Sequence, residues 1–221
     1  MTKIRSIVYP LCLIAAIALV SRPVSASILY TTLVGSSYDT TNGGVGVNGS
    51  NYNNQVIGQP FTLGAGATVG DAVLALGNLE GSDNPVNVYI ESDSVSGLPG
   101  VIISQLSQVG TILPWSNGSR GGLVTFTCSV DCTLGAGSYW LVALETDSAS
   151  FQAWDWAFGD PSGPQAYNFV GSPTGPWIGP DSSTEAAFQI DGSTIPEPGS
   201  LILLGSGLLG FAGVVRRRRT S

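Results

Sequence analysis

Apolar and polar residues alternate with a period of two through most of this chain, and only its two ends abandon that rhythm. Val86, Val88 and Ile90 alternate with Asn87, Tyr89 and Glu91, the pattern of a strand with one buried face. Thr125 and Thr127 interleave with Val124, Phe126 and Cys128. Leu141 and Ala143 alternate with Trp140, Val142 and Leu144, so that this strand is apolar on both faces. Short runs of this kind, separated by Gly, Asn, Ser and Pro turns, predict an all-β protein. Strands are expected near 28–34, 55–63, 68–79, 85–92, 100–106, 121–129, 138–147, 151–158, 165–170 and 185–191. No sustained helical stripe interrupts them. The expected architecture is therefore two packed antiparallel sheets, a jelly-roll-like β-sandwich. The segments 36–54 and 159–184, rich in Gly, Asn, Ser and Pro, read as long surface loops. Thr62-Leu63-Gly64-Ala65-Gly66 recurs as Thr133-Leu134-Gly135-Ala136-Gly137. The flanks of the two copies do not match, which favours two similar hairpin entries over a duplicated half.

The two ends carry continuous apolar runs instead. Lys3 and Arg5 precede a mostly apolar stretch from Ile7 to Val20, and Val24-Ser25-Ala26 supplies small residues for cleavage. That is the three-part plan of a secretory signal peptide, with the cut between Ala26 and Ser27 by signal peptidase. The alternative is an uncleaved N-terminal anchor, and the short run broken by Pro10 argues against it. At the other end, residues 199–215 approach the roughly 17–25 residues that cross a hydrocarbon core as a helix. Leucines, valines and a phenylalanine favour insertion, and Gly205, Gly207, Gly210 and Gly213 weaken it. Four arginines, Arg216, Arg217, Arg218 and Arg219, follow at once and form a stop-transfer block on the cytoplasmic side. The expected organisation is a signal peptide at 1–26, a β-sandwich ectodomain at 27–194 and a sorting and anchor segment at 195–221, with one transmembrane helix over 199–215.

Pro196-Glu197-Pro198, then the Gly- and Leu-rich run, then the arginine cluster resemble the PEP-CTERM sorting signal in both parts and order. The resemblance implies recognition by an exosortase, a membrane transpeptidase-like protease. Such an enzyme would remove the tail and release or attach the protein at the surface of an exopolysaccharide-producing Gram-negative bacterium. Prolines suit that site, because they hold the backbone extended and remove amide donors.

Charge narrows the partners. Between the two ends stand fourteen acidic residues against Arg120 alone, a formal charge of −13, with no lysine. Nucleic acid binding rests on Lys and Arg at phosphates, so nucleic acid is excluded as a partner. Anionic lipid is disfavoured on the same ground. The ectodomain resembles the choice-of-anchor group of exported bacterial β-domains, most closely the kind labelled R. The matching features are Gln59-Pro60-Phe61-Thr62-Leu63, Ser92-Asp93 with Leu98-Pro99-Gly100, Gly137-Ser138-Tyr139-Trp140-Leu141 and Phe188-Gln189-Ile190. That group implies placement and no mechanism.

Candidate chemistry is sparse. The chain has no histidine, which removes the usual Ser-His-Asp and Cys-His arrangements and His-ligated zinc. Cys128 and Cys132 are the cysteines left after signal removal. Export favours a structural disulfide between them over a redox motif. Glu145, Asp147, Asp155 and Asp160 lie near Trp140, Trp154 and Trp156, a grouping that suits sugar stacking and, more remotely, glycoside hydrolysis. Alternation of Trp154, Trp156 and Phe158 equally describes a core stripe. Acidic loops suit weak calcium binding, yet no calcium-loop motif occurs and no metal or other cofactor site is assigned. The expectation is a non-catalytic surface or matrix protein, sorted by its tail and associated with extracellular polysaccharide. A carbohydrate-binding module using those tryptophans is the alternative.

Overall fold

The computed structural model describes residues 26–41, 43–80, 86–116, 119–130, 132–195 and 204–209. Its strands in chain order are β1 (Ser27–Thr31), β2 (Gly44–Asn48), β3 (Val56–Leu63), β4 (Ala67–Glu80) and β5 (Val86–Asp93). Then come β6 (Pro99–Val109), β7 (Trp115–Ser116), β8 (Ser119–Arg120), β9 (Gly122–Cys128) and β10 (Thr133–Leu134). The last five are β11 (Gly137–Glu145), β12 (Phe151–Asp155), β13 (Ser162–Asn168), β14 (Ile178–Thr184) and β15 (Phe188–Thr194). The all-β expectation holds. Two of the segments read as loops nevertheless contain strands: β2 lies within 36–54, and β13 and β14 both lie within 159–184.

The two layers of the sandwich are not separate sheets. Hydrogen bonding runs continuously in the order β1-β15-β4-β9-β6-β5-β11-β3-β13-β14, all antiparallel. β6 makes the turn between layers, because its first part pairs with β5 and its last four residues pair with β9. The curled sheet closes on itself through side chains. Val69, Leu74, Phe126, Trp154 and Phe188 from one half share a single buried cluster with Ile57, Phe61, Ile90 and Leu141 from the other. The ring of Tyr30 on β1 bridges the halves, 5.4 Å from Phe188 and 6.1 Å from Phe61.

β11 shows why both of its faces are apolar. Leu141 and Ala143 enter the main core. Trp140, Val142 and Leu144 point the other way and pack with Val56, Ala166, Tyr89, Leu98 and Trp177 in a second cluster. The outer face of this layer is thus covered, in part by Trp177 from the segment ahead of β14.

The repeated pentapeptide forms no hairpins. β3 does not pair with β4, nor β10 with β11. Each Thr-Leu-Gly-Ala-Gly copy is an arch that carries the chain from one layer to the other. The copies exchange partners reciprocally: Gly137 of the second lies opposite Leu63 of the first, and Leu134 lies opposite Ala67, which follows the first. Leu63 and Leu134 are both buried in the main core. The hairpin expectation fails because each Leu must enter the same core from opposite layers, which a flat two-stranded turn cannot do.

The arches sit at one pole, here the arch pole. β1 begins there, with Ser27 opposite Gly192, and β15 ends there, with Thr194 opposite Ala67. The opposite pole gathers loops 49–55, 146–150 and 169–177, tied by Asn51 N–H to Ser148 O at 2.9 Å and Gly171 N–H to Asn54 O at 3.1 Å. The proposed sorting residues Pro196, Glu197 and Pro198 and the cluster Arg216–Arg219 lie outside the described residues, as does the signal peptide ahead of Ala26. Within the expected span 199–215, a helix covers 204–209. Among the described residues no helix is long and apolar enough to cross a membrane.

Candidate functional site

The aromatic and acidic residues singled out from the sequence do not assemble into an open binding face. Trp154 is wholly buried in the main core, where its Nε1 donates to Ala187 O at 3.0 Å and its ring meets Phe188 edge-on at 5.9 Å. Trp140 is also buried, on the outer face of β11, and its Nε1 donates to Asp93 Oδ1 at 2.8 Å. Trp156 is half-buried and Phe158 exposed, beyond the end of β12. Since Trp140 and Trp154 belong to different clusters, the three tryptophans form no common sugar-stacking platform.

The acids divide by role. Glu145 and Asp147 cap the turn after β11: Glu145 Oε1 accepts from the N–H of Thr146 and Asp147 at 2.8 and 2.9 Å. Asp147 Oδ2 accepts from the Ser150 hydroxyl at 2.9 Å. That is turn chemistry, and a pair of local caps is not an acid–base couple across a cleft. Among the described residues no three of His, Cys, Asp or Glu converge in a way that could hold a metal ion.

Two buried acids are the unusual ones: Asp155, one of the candidates from the sequence, and Glu91, which was not. Glu91 is fully buried with neither carboxylate oxygen hydrogen-bonded, and burial pushes its carboxyl up to about 8. It lies opposite Trp140, whose indole reaches on to Asp93. Asp155 is likewise fully buried with both oxygens unbonded. Burial raises it to about 8, against the attraction of Arg120 and with the repulsion of Asp39. Deep burial without a counter-ion favours the neutral acid.

Arg120, alone in its charge between the two ends, straps the outer surface near Asp155. Its guanidinium lies 4.7 Å over the Trp115 ring and donates from Nη2 to Thr41 O. Its carbonyl accepts from the Tyr38 hydroxyl at 3.3 Å. The chain segment after β1 is thereby held against the short β7–β8 hairpin. The signal for it was available in the sequence, as a lone cation in a field of acids.

Cys128 and Cys132 are joined in a disulfide, with Cα atoms 6.3 Å apart, inside the usual range. It closes the loop between β9 and β10 near the arch pole.

The remaining site is the root of the C-terminal tail. Thr194 is paired in the sheet, and Ile195 N–H donates to Gly66 O of the first arch at 2.7 Å. The next residue in sequence is Pro196. Ordered strand therefore runs to within one residue of the Pro-Glu-Pro triplet, and Ser27 at the expected cleavage junction stands on the neighbouring strand.

No curated protein matches this chain, and the choice-of-anchor resemblance is not confirmed. Residues 194–219 match the PEP-CTERM protein-sorting motif. Thr194 and Ile195 of that match are thus built into the fold, and the triplet, the apolar run and the arginines follow in sequence. The chain carries a PEP-CTERM protein-sorting motif over its last residues, which supports an exported protein handled by an exosortase-type sorting system.

Proposed function

We propose that the protein is a non-catalytic component of the cell surface or extracellular matrix, with no resident cofactor, that associates with extracellular polysaccharide once its tail is processed. The observation that carries this reading is the matched sorting motif at 194–219, joined without a spacer to a closed β-sandwich. Buried Trp140 and Trp154 and turn-capping Glu145 and Asp147 give the carbohydrate-module and hydrolase readings no assembled site to stand on. Signal peptidase would cut between Ala26 and Ser27. The run 199–215 would hold the precursor in the membrane, with Arg216–Arg219 on the cytoplasmic side.

The test is intact mass and C-terminal peptide mapping of protein from native cells, beside a variant with Pro196, Glu197 and Pro198 all changed to Ala. The expected result is a mature chain starting at Ser27 and lacking everything after the Pro-Glu-Pro region, with the tail retained in the variant. A native protein that keeps its tail sinks the processing step. Fractionation of the processed protein with purified exopolysaccharide then tests the matrix role. A chain found only free in the medium speaks against it.

A further inference from the structure

The arch pole combines three properties that no other part of the fold unites. Both chain ends leave from it, since Ser27 and Thr194 lie at the same end of the paired strands β1 and β15. The tether is short. Ile195, the last described residue before the triplet, is bonded to the body, and the expected membrane span opens at Gly199. Those four steps reach about 14 Å at full extension. The interfacial layer on each side of the hydrocarbon is itself about 5–7 Å thick, so the pole cannot stand clear of the headgroups by more than about 10 Å.

The third property is chemical. The arch loops 64–66 and 133–136 and the turn 94–98 contain no charged residue, in a domain of formal charge −13. The disulfide loop contributes one acid, Asp131. Aliphatic side chains project around the rim: Val95 is fully exposed, Val130 67%, Ile28 59% and Ile195 41%. Other faces also expose apolar side chains, such as Val101 and Phe169. Only here do they coincide with the chain ends and uncharged loops. Acidic surface is repelled by anionic headgroups, and neutral surface with small aliphatic tips is not.

We infer that the arch pole is a membrane-contact surface and that the precursor stands on the lipid bilayer by it. This rests on the reading of 199–215 as a membrane-retained segment. β4 alone, with 14 residues, is about 45 Å long at the usual strand rise. The loops 49–55, 146–150 and 169–177 are then the part of the precursor held farthest from the lipid and first to meet a polymer. Processing near Pro196 takes place in the narrow gap beneath the arches.

The experiment is cysteine labelling of full-length precursor in isolated native membranes. The Pro-Glu-Pro→Ala variant holds the tail in place, and Cys12→Ser removes the leader thiol. One set carries Val95→Cys at the arch pole, the other Asn51→Cys at the opposite pole. Both positions are exposed, so neither change removes core packing. The probe is a maleimide on a polyethylene glycol chain of about 5 kDa, too bulky for a gap of that depth. Asn51→Cys is expected to react at least about tenfold faster than Val95→Cys on membranes, and within about twofold after detergent solubilisation. Equal rates on membranes, in protein that still sediments with them, overturn the inference and leave the tail reading intact. Precursor in the soluble fraction overturns both.

Discussion

Glu91 and Asp155 are carboxyls held where a carboxylate is costly, and their sign on stability follows directly. Both are raised from the ordinary carboxylate range to about 8 by burial. Their contribution to folding is therefore complete below about pH 4, where the unfolded chain is also protonated, and it is lost as pH rises through about 8. Between those limits each group makes unfolding easier by about 1.4 kcal/mol per pH unit. Glu145, raised in the same direction by burial, is opposed by hydrogen bonds from Asp147 and Thr146. Thermal melts at pH 5, 7 and 9 should show falling stability toward alkali. Glu91→Gln and Asp155→Asn should each flatten that slope and raise the melting temperature at pH 9 relative to the parent. A slope of the opposite sign would contradict the assignment. The burial of Glu91 was not legible beforehand, since alternation groups it with Asn87 and Tyr89. What buries it is a second layer of packing, begun by Trp140 from another strand.

At the scale of elements, two devices adapt regular strands to a curled sheet. In β4 the inward positions shift phase, from Ala67 and Val69 to Ala72, Leu74 and Leu76. Pairing with β15 passes from Asp71 opposite Asp191 to Val69 opposite Gly192, skipping Gly70. One extra residue in a strand re-aims all that follows, so Gly70 lets a 14-residue strand keep its apolar residues inward on both sides of a bend. β4 also forks, pairing along one edge first with β15 and then with β12. The second device is Gly121, which has a φ of +66° and leaves no room for a side chain against the Leu76 carbonyl and Gly77. It lets the β7–β8 hairpin lie against β4, with Trp115 packed over Gly77. Gly121→Ala combines a backbone clash with left-handed φ, and should cost about 1–3 kcal/mol. Denaturant melts check the cost. Hydrogen exchange should show the loosening concentrated in 115–121 and in the facing residues 38–41. An unchanged midpoint would mean that the hairpin is not held there.

For the molecule as a whole, charge is the dominant global term. Fourteen acids and one arginine on the chain between the two ends repel one another more strongly in the compact state than when unfolded. Salt screens such repulsion over about 10 Å at 0.1 M. Raising NaCl from about 10 mM to about 0.5 M at pH 8 should raise the melting temperature by a few degrees. A fall would mean that attractive pairs dominate, and Arg120 with its contacts to Thr41 and Trp115 is the one place where that attraction is built. Under the inferred membrane contact, the same charge asymmetry would orient the precursor, because the arch loops 64–66 and 133–136 carry no charge.

Local chemistry made some features readable from the sequence alone. Period-two alternation specified strands such as β5, β9 and β11, because a pleated backbone sends successive side chains to opposite faces. The sorting motif was readable because its three parts are defined by residue type and order along the chain. Other features depended on which distant segments meet. β2 and β14 hid in segments rich in Gly, Asn, Ser and Pro, and only pairing with β12 and β13 makes them strands. The pentapeptide repeat was visible, but its role as paired arches required both layers to be in place. Burial of Trp140, Glu91 and Asp155, and the exit of both chain ends at one pole, were decided by tertiary structure, since burial and position belong to contacts between strands far apart in sequence.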